Sequence, residues 1–142
     1  MKYQIFLYSL VCMFCVIGCG LTNNNSPVSG KITFEDGTPV NSGEVIFALA
    51  GSDSYFAKGT IGSDGTYSLK EQVVGQESNK TGCKKGDFKV FIAGTSISVV
   101  NEKGTTTTTH IIDQNYASQS KTPLKVSVPD GVYDFKIPTF KK

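Results

Sequence analysis

The sequence predicts an all-β protein: a seven-stranded antiparallel Greek-key β-sandwich that follows an N-terminal signal peptide. Three observations carry the prediction. Short apolar–polar alternations of period two recur from Val28 onward. Gly-, Pro- and Asp-containing turn signals separate them. No helical periodicity follows the first twenty residues, and the 142-residue chain carries 15 glycines and no tryptophan.

The opening, "MKYQIFLYSLVCMFCVIGCG", has Lys2 as a positive start. Ile5 to Ile17 is then apolar, with Ser9 its strongly polar member. That length suits a signal-peptide core and is short for a spanning helix of about 20 residues. A retained helix from Tyr3 to Leu21, or plain secretion, is the alternative. Cys12-x-x-Cys15 has metal-ligand spacing, but Phe14, Val16 and Ile17 surround it and no second pair follows. Leu21 to Pro27, "LTNNNSP", is a polar spacer. Eight residues from Cys19 to Ser26 reach at most about 28 Å.

"VSGKITF" turns Ile32 and Phe34 inward, with Val28 read on the outer side beside Lys31 and Thr33. "EDGTPV" is a turn, and "GEVIFALA" is apolar enough for a central strand. "SYFAKGTI" and "TYSLK" flank "GSDG", where Asp64-Gly65 signals a hairpin. Val73 to Lys85 is polar and reads as an excursion. "GDFKVFIAG" sets Phe88, Val90 and Ile92 against Lys89 and Phe91. Ser98 to Pro123 reads as a long loop, with "GTTTTTH" supplying an extra strand because threonine favours β geometry. "LKVSVPDGVYDFKI" closes the domain as two strands about a Pro-Asp-Gly turn. The predicted core is Ile32, Phe34, Val45, Phe47, Ile61, Tyr67, Leu69, Val90, Ile92, Val126, Val128 and Phe135.

Chemistry is sparse. The 14 basic residues are all lysines against 12 acids. That balance gives no footprint for nucleic acid, and without arginine there is no bidentate fork for phosphate. His110 is the lone histidine and reads as an ordinary strand-edge residue. Asp36-Gly37 and Asp64-Gly65 read as turns rather than calcium loops. Cys83 lies near Lys80, Lys84 and Lys85, which would lower its thiol pKa. Its structural reading is a stray thiol; its functional reading is thiol chemistry. Lys84-Lys85 and Lys141-Lys142 read as solvated surface within reach of headgroups. No cofactor or metal is implied.

Two resemblances add to this reading. Val16-Ile17-Gly18-Cys19 resembles the lipobox of bacterial lipoproteins. It implies cleavage between Gly18 and Cys19, diacylglycerol on the Cys19 thiol and acylation of its amine. Gly20, rather than aspartate, implies the outer membrane. "VSGKITFEDGTPVNSGEVIF", "GTIGSDGTYSLK" and "GDFKVFIAG" resemble carboxypeptidase regulatory-like domains. That family implies a seven-stranded, transthyretin-like sandwich without catalysis. The related hydroxyisourate hydrolases use an arginine that this chain lacks.

The expected organisation is therefore residues 1–18 as signal peptide, 19–26 as lipidated cysteine and tether, and 27–140 as the β-sandwich. The expected function is a non-catalytic, membrane-anchored envelope module for binding or structure. Its partners would be the membrane, through the lipid, and an envelope protein or polysaccharide. The alternative is a carbohydrate-binding or adhesion module with exposed Tyr55, Phe56 and Tyr116 as ring platforms; a weaker one is a thiol enzyme using Cys83.

Overall fold

The computed structural model describes residues 25–139, apart from 77, 79, 101 and 130. Gly18, Cys19 and the whole signal-peptide reading lie outside the described residues. Within them the structure consists of strands and turns with no helix.

The strands run as the alternations demand. The first half holds β1 (Val28–Phe34), β2 (Glu44–Leu49), β3 (Tyr55–Thr60), β4 (Thr66–Ser68) and β5 (Lys70–Val73). The second half holds β6 (Gly86–Ala93), β7 (Ser96–Val100), β8 (Thr106–His110), β9 (Lys125–Val128), β10 (Gly131–Val132) and β11 (Phe135–Ile137). One sheet has the order β5-β3-β2-β6-β9, antiparallel throughout. The other centres on β1, with β4 antiparallel along one edge and β10 and β11 parallel along the other. The two sheets make a β-sandwich-like, mostly antiparallel arrangement that does not close into a barrel.

Their shared interior follows the period-two pattern. Val45 and Phe47 of β2, Phe88, Val90 and Ile92 of β6, and Val28 and Ile32 of β1 are all buried. Phe47 is the hub. Its ring lies 6.2 Å from Tyr67, 6.0 Å from Phe88 and 6.0 Å from Phe135, with Tyr133 at 6.5 Å. Burying one such ring contributes roughly 1.5–3 kcal/mol by area, and tilted or edge-on ring pairs add about 0.5–1.5 kcal/mol each.

One glycine lets the C-terminal strand lie close against β1. Gly30 sits mid-strand in β1, and a Cβ there would lie 1.9 Å from the Tyr133 carbonyl oxygen and 2.9 Å from the Tyr67 hydroxyl. That space is used by a hydrogen bond of 2.6 Å, donated by the Tyr67 hydroxyl to the Tyr133 carbonyl. It ties the strand after the Gly62–Gly65 turn to the C-terminal segment, across 66 residues.

The structure corrects the sequence reading in several places. There are eleven strands among the described residues, not seven, and pairing is not wholly antiparallel, because β10 and β11 run parallel to β1. "TYSLK" is not one strand. β4 bonds β1 and β5 bonds β3, so the chain changes sheet at the buried Leu69. For the same reason Asp64-Gly65 does not join two paired strands; the turn, closed by Gly65 N–H to Gly62 O at 2.9 Å, carries the chain between sheets. Ser98 to Pro123 is not simply a loop. It contains most of the β7–β8 hairpin, then successive turns. Val28 is buried with Ile32, because four residues along a strand return to the same face. Phe34, Val126 and Phe135 are half-buried, packing against the core margin. Phe88, Val40, Ile112 and Ile137 are core residues beyond those predicted.

Candidate functional site

The most distinctive surface is the outer face of the five-stranded sheet. Register places one row of outward residues straight across it: Gln72, Phe56, Ala48, Lys89 and Lys125 are successive cross-strand partners. Four strand spacings of about 4.8 Å make this row about 19 Å long. The neighbouring row is Lys70, Lys58, Ile46 and Phe91. Ala48 is small where its neighbours are long, so the face is concave at its centre. A cavity of about 320 Å³ lies there, lined by Ile46, Ala48, Phe56 and Phe91 with polar Asp53 and Gln119 at its margin. A second hollow of about 400 Å³ lies toward the β9 edge, lined by Lys89, Lys125, Asp87 and Ser127.

The charges on this face are unevenly satisfied. Lys58 pairs with Glu44 at 3.2 Å, both of them well exposed, so the pair adds little stability. Asp87 accepts a hydrogen bond from the Ser127 hydroxyl. Among the described residues neither Lys89 nor Lys125 has a carboxylate within salt-bridge distance, although they face each other directly. Like charges so placed are destabilising in the absence of a counter-charge.

The expected site residues part company here. Phe56 is half-buried and lines the cavity. Tyr55 is not an exposed platform. It is 5% exposed, because the neighbouring position on a strand faces the opposite side. Its hydroxyl accepts the Lys84 backbone N–H at 2.7 Å and its ring lies 4.6 Å beneath the Lys84 ammonium. Burial pushes its pKa up to about 12. Tyr116 is half-buried against the core, and its carbonyl accepts the Ile92 N–H at 2.9 Å.

Cys83 is fully buried, and burial first, then the nearby Glu71, pushes its thiol up to about 11. This overturns the expected lysine-lowered thiol: sequence neighbours on a strand-like segment do not share its side, and the Lys84 ammonium sits over Tyr55 instead. His110 is exposed at the end of β8, opposite Ser96. Asp36 and Asp64 are turn residues. The first accepts the Thr38 N–H at 2.8 Å; the second accepts the Thr66 hydroxyl at 2.7 Å and N–H at 3.1 Å. Both carboxyls are held below their usual range by these bonds. Among the described residues no group of three His, Cys, Asp or Glu side chains is placed to hold a metal ion. No helix among them is long and apolar enough to cross a membrane.

Phe91, Lys89 and Lys125 were missed as site residues. The signal was present in part: Phe91 and Lys89 alternate with the buried set of β6, so an aromatic ring faces outward where a polar residue is usual.

Comparison with known protein families and with curated proteins finds no match. Among solved structures, a 9R-lipoxygenase from Cyanothece aligns with 82% of this chain at 13% identity and a TM-score of 0.41. The chain spans 17% of that enzyme's length. A likeness this slight supports no statement about fold or activity.

Proposed function

We propose that this chain is a lipid-anchored, non-catalytic module of the bacterial cell envelope, held at the outer membrane and acting in binding or structure. The observation that carries the reading is Val16-Ile17-Gly18-Cys19, placed where a signal-length apolar run meets a polar tract. The entrance to the folded domain agrees with a short tether. Ser26 N–H bonds Cys83 O at 2.7 Å and Cys83 N–H bonds Ser26 O at 3.0 Å, so the chain is pinned at the last residue of the tether that begins at Cys19. Each buried CH₂ of an acyl chain is worth about 0.8 kcal/mol, and two or more chains anchor stably.

The finer fold belongs to the same proposal. Strands β4-β1-β11 facing β3-β2-β6-β9 form a three-plus-four set, as a seven-stranded Greek-key sandwich of the transthyretin-like, carboxypeptidase regulatory kind would require. Strands β5 and β10 and the β7–β8 hairpin are then additions to it. The non-catalytic reading rests on where reactive groups lie: the Cys83 thiol is buried and held protonated, and His110 is solitary and exposed.

Fractionation of expressing cells tests the anchor. Wild-type protein is expected in the outer-membrane fraction, and Cys19→Ser in the soluble fraction or retained with an uncleaved leader. A Cys19→Ser chain that is cleaved and still fractionates with the outer membrane would refute the reading.

A further inference from the structure

We propose that the outer face of the five-stranded sheet is a binding groove for an acidic polysaccharide, with Phe56 and Phe91 as ring platforms and Lys89 and Lys125 as carboxylate contacts. The inference rests on the binding-module reading above and gives that module a ligand class.

Three features of the face converge on this chemistry. First, the row Gln72–Phe56–Ala48–Lys89–Lys125 grades across about 19 Å from amide through ring and methyl to two ammonium groups. A ligand lying along it must offer hydrogen-bonding groups, an apolar ring face and anionic charge in sequence. A chain of uronic acid units carries all three. Second, the apolar groups are recessed. Ile46, Phe56 and Phe91 are half-buried around the buried Ala48, and the cavity of about 320 Å³ is of ligand-site size. A concavity with polar Asp53 and Gln119 at its rim suits a discrete ring with hydroxyls. A membrane surface would call for protruding apolar side chains instead. Third, Lys89 and Lys125 face each other with no carboxylate partner among the described residues. An anion between them removes their repulsion, so charge complementarity selects an acidic ligand over a neutral one. Lysine provides a point charge rather than a fork, which suits carboxylates presented at varying angles along a flexible chain.

Binding is measured with the full chain in non-ionic detergent against polygalacturonate, alginate and hyaluronate, with dextran as the uncharged comparison. Nanodiscs containing phosphatidylglycerol form a further arm. At least one acidic polymer is expected to bind, more tightly than dextran and with affinity falling as salt rises. The Lys89→Gln/Lys125→Gln variant is expected to bind about tenfold more weakly, and Phe56→Ala more than about fivefold more weakly. Lys31→Gln, an exposed change on the other sheet, should bind as wild type does. Thermal melts confirm folding, and Lys125→Gln alone, at the exposed sheet edge, serves if the double variant unfolds. Failure of all three acidic polymers to bind folded protein overturns the inference. So does binding that ignores the lysine changes, or nanodisc binding lost with the same lysines while the polymers stay unbound. Dextran bound in place of the acidic polymers overturns it while leaving the binding-module reading intact. That reading fails separately, through the Cys19→Ser fractionation.

Discussion

Replacing Gly30 with alanine tests the packing of β1 against the C-terminal strand beside it. The added methyl would lie 1.9 Å from the Tyr133 carbonyl oxygen. Ordinary carbon–oxygen contact requires more than 3 Å, so β1 and the Tyr133 backbone must separate by over about 1 Å. Overpacking of this kind costs roughly 1–3 kcal/mol. The same movement breaks the 2.6 Å bond from the Tyr67 hydroxyl. A partly buried phenol left unpaired costs about a further 1–3 kcal/mol. The entropic gain of alanine over glycine offsets about 0.4–1 kcal/mol. The net loss is therefore about 2–5 kcal/mol, a large share of the 5–15 kcal/mol typical of a domain. At about 4 °C per kcal/mol the melting temperature falls by roughly 8–20 °C. Urea and thermal denaturation, followed by circular dichroism, give both numbers. Tyr67→Phe removes the hydrogen bond without adding volume, so it should lose only about 1–2 kcal/mol. The reasoning is refuted if Gly30→Ala melts within about 2 °C of wild type, or if Tyr67→Phe costs as much as Gly30→Ala.

Phe47→Ala removes the ring that four aromatic neighbours surround and should cost about 3–5 kcal/mol by urea denaturation; a loss under 1 kcal/mol would mean the hub is misassigned. Cys83 should resist iodoacetamide at pH 8 in the folded protein and react readily in urea, as mass spectrometry would read. Its folded pKa is raised from 9.0 to about 11, so its contribution to stability is full below pH 9 and is lost as pH rises toward 11. Denaturation across that window should show the decline, and Cys83→Ala should reduce it, leaving the part due to the buried phenols Tyr55 and Tyr67, whose pKa values burial also raises. Asp64 has the opposite sign. Its folded pKa is depressed below 3.8, so its contribution is present above that value and fades as pH falls through the lower folded pKa. Asp64→Asn should flatten the acid limb of the stability profile, and an unchanged limb would count against the turn assignment.

What the sequence discloses is set by distance along the chain. The alternation of Phe88, Val90 and Ile92 against Lys89 and Phe91 needs only neighbouring residues, and both faces of β6 are legible from it. The row through Phe56, Ala48, Lys89 and Lys125 needs the register of β3, β2, β6 and β9, which joins residues up to some seventy positions apart. No local period contains that information. Tyr55 was misplaced because "SYF" puts two rings side by side, and only the pairing with β2 decides which one faces inward. Leu69 carries no turn signature, yet the chain changes sheet there: its N–H bonds Val28 O of β1 at 2.9 Å, while Lys70 and Glu71 pair with Lys58 and Ala57 of β3. The parallel partnership of β1 with β11 links Ile32 to Phe135 and is equally invisible to periodicity. The proposed anchor is the reverse case. The proposed attachment pattern, Val16 to Cys19, is local and readable from the sequence alone, and it lies outside the described residues.

The central claim, that Cys19 is the first mature residue and holds the domain to a membrane, is tested most directly by mass spectrometry of the N-terminal peptide from membrane-purified protein. The account predicts a peptide that begins at Cys19, with diacylglycerol on the thiol and an acyl chain on the amine. A peptide that begins at Met1, or a mature N-terminus with an unmodified Cys19, would contradict it.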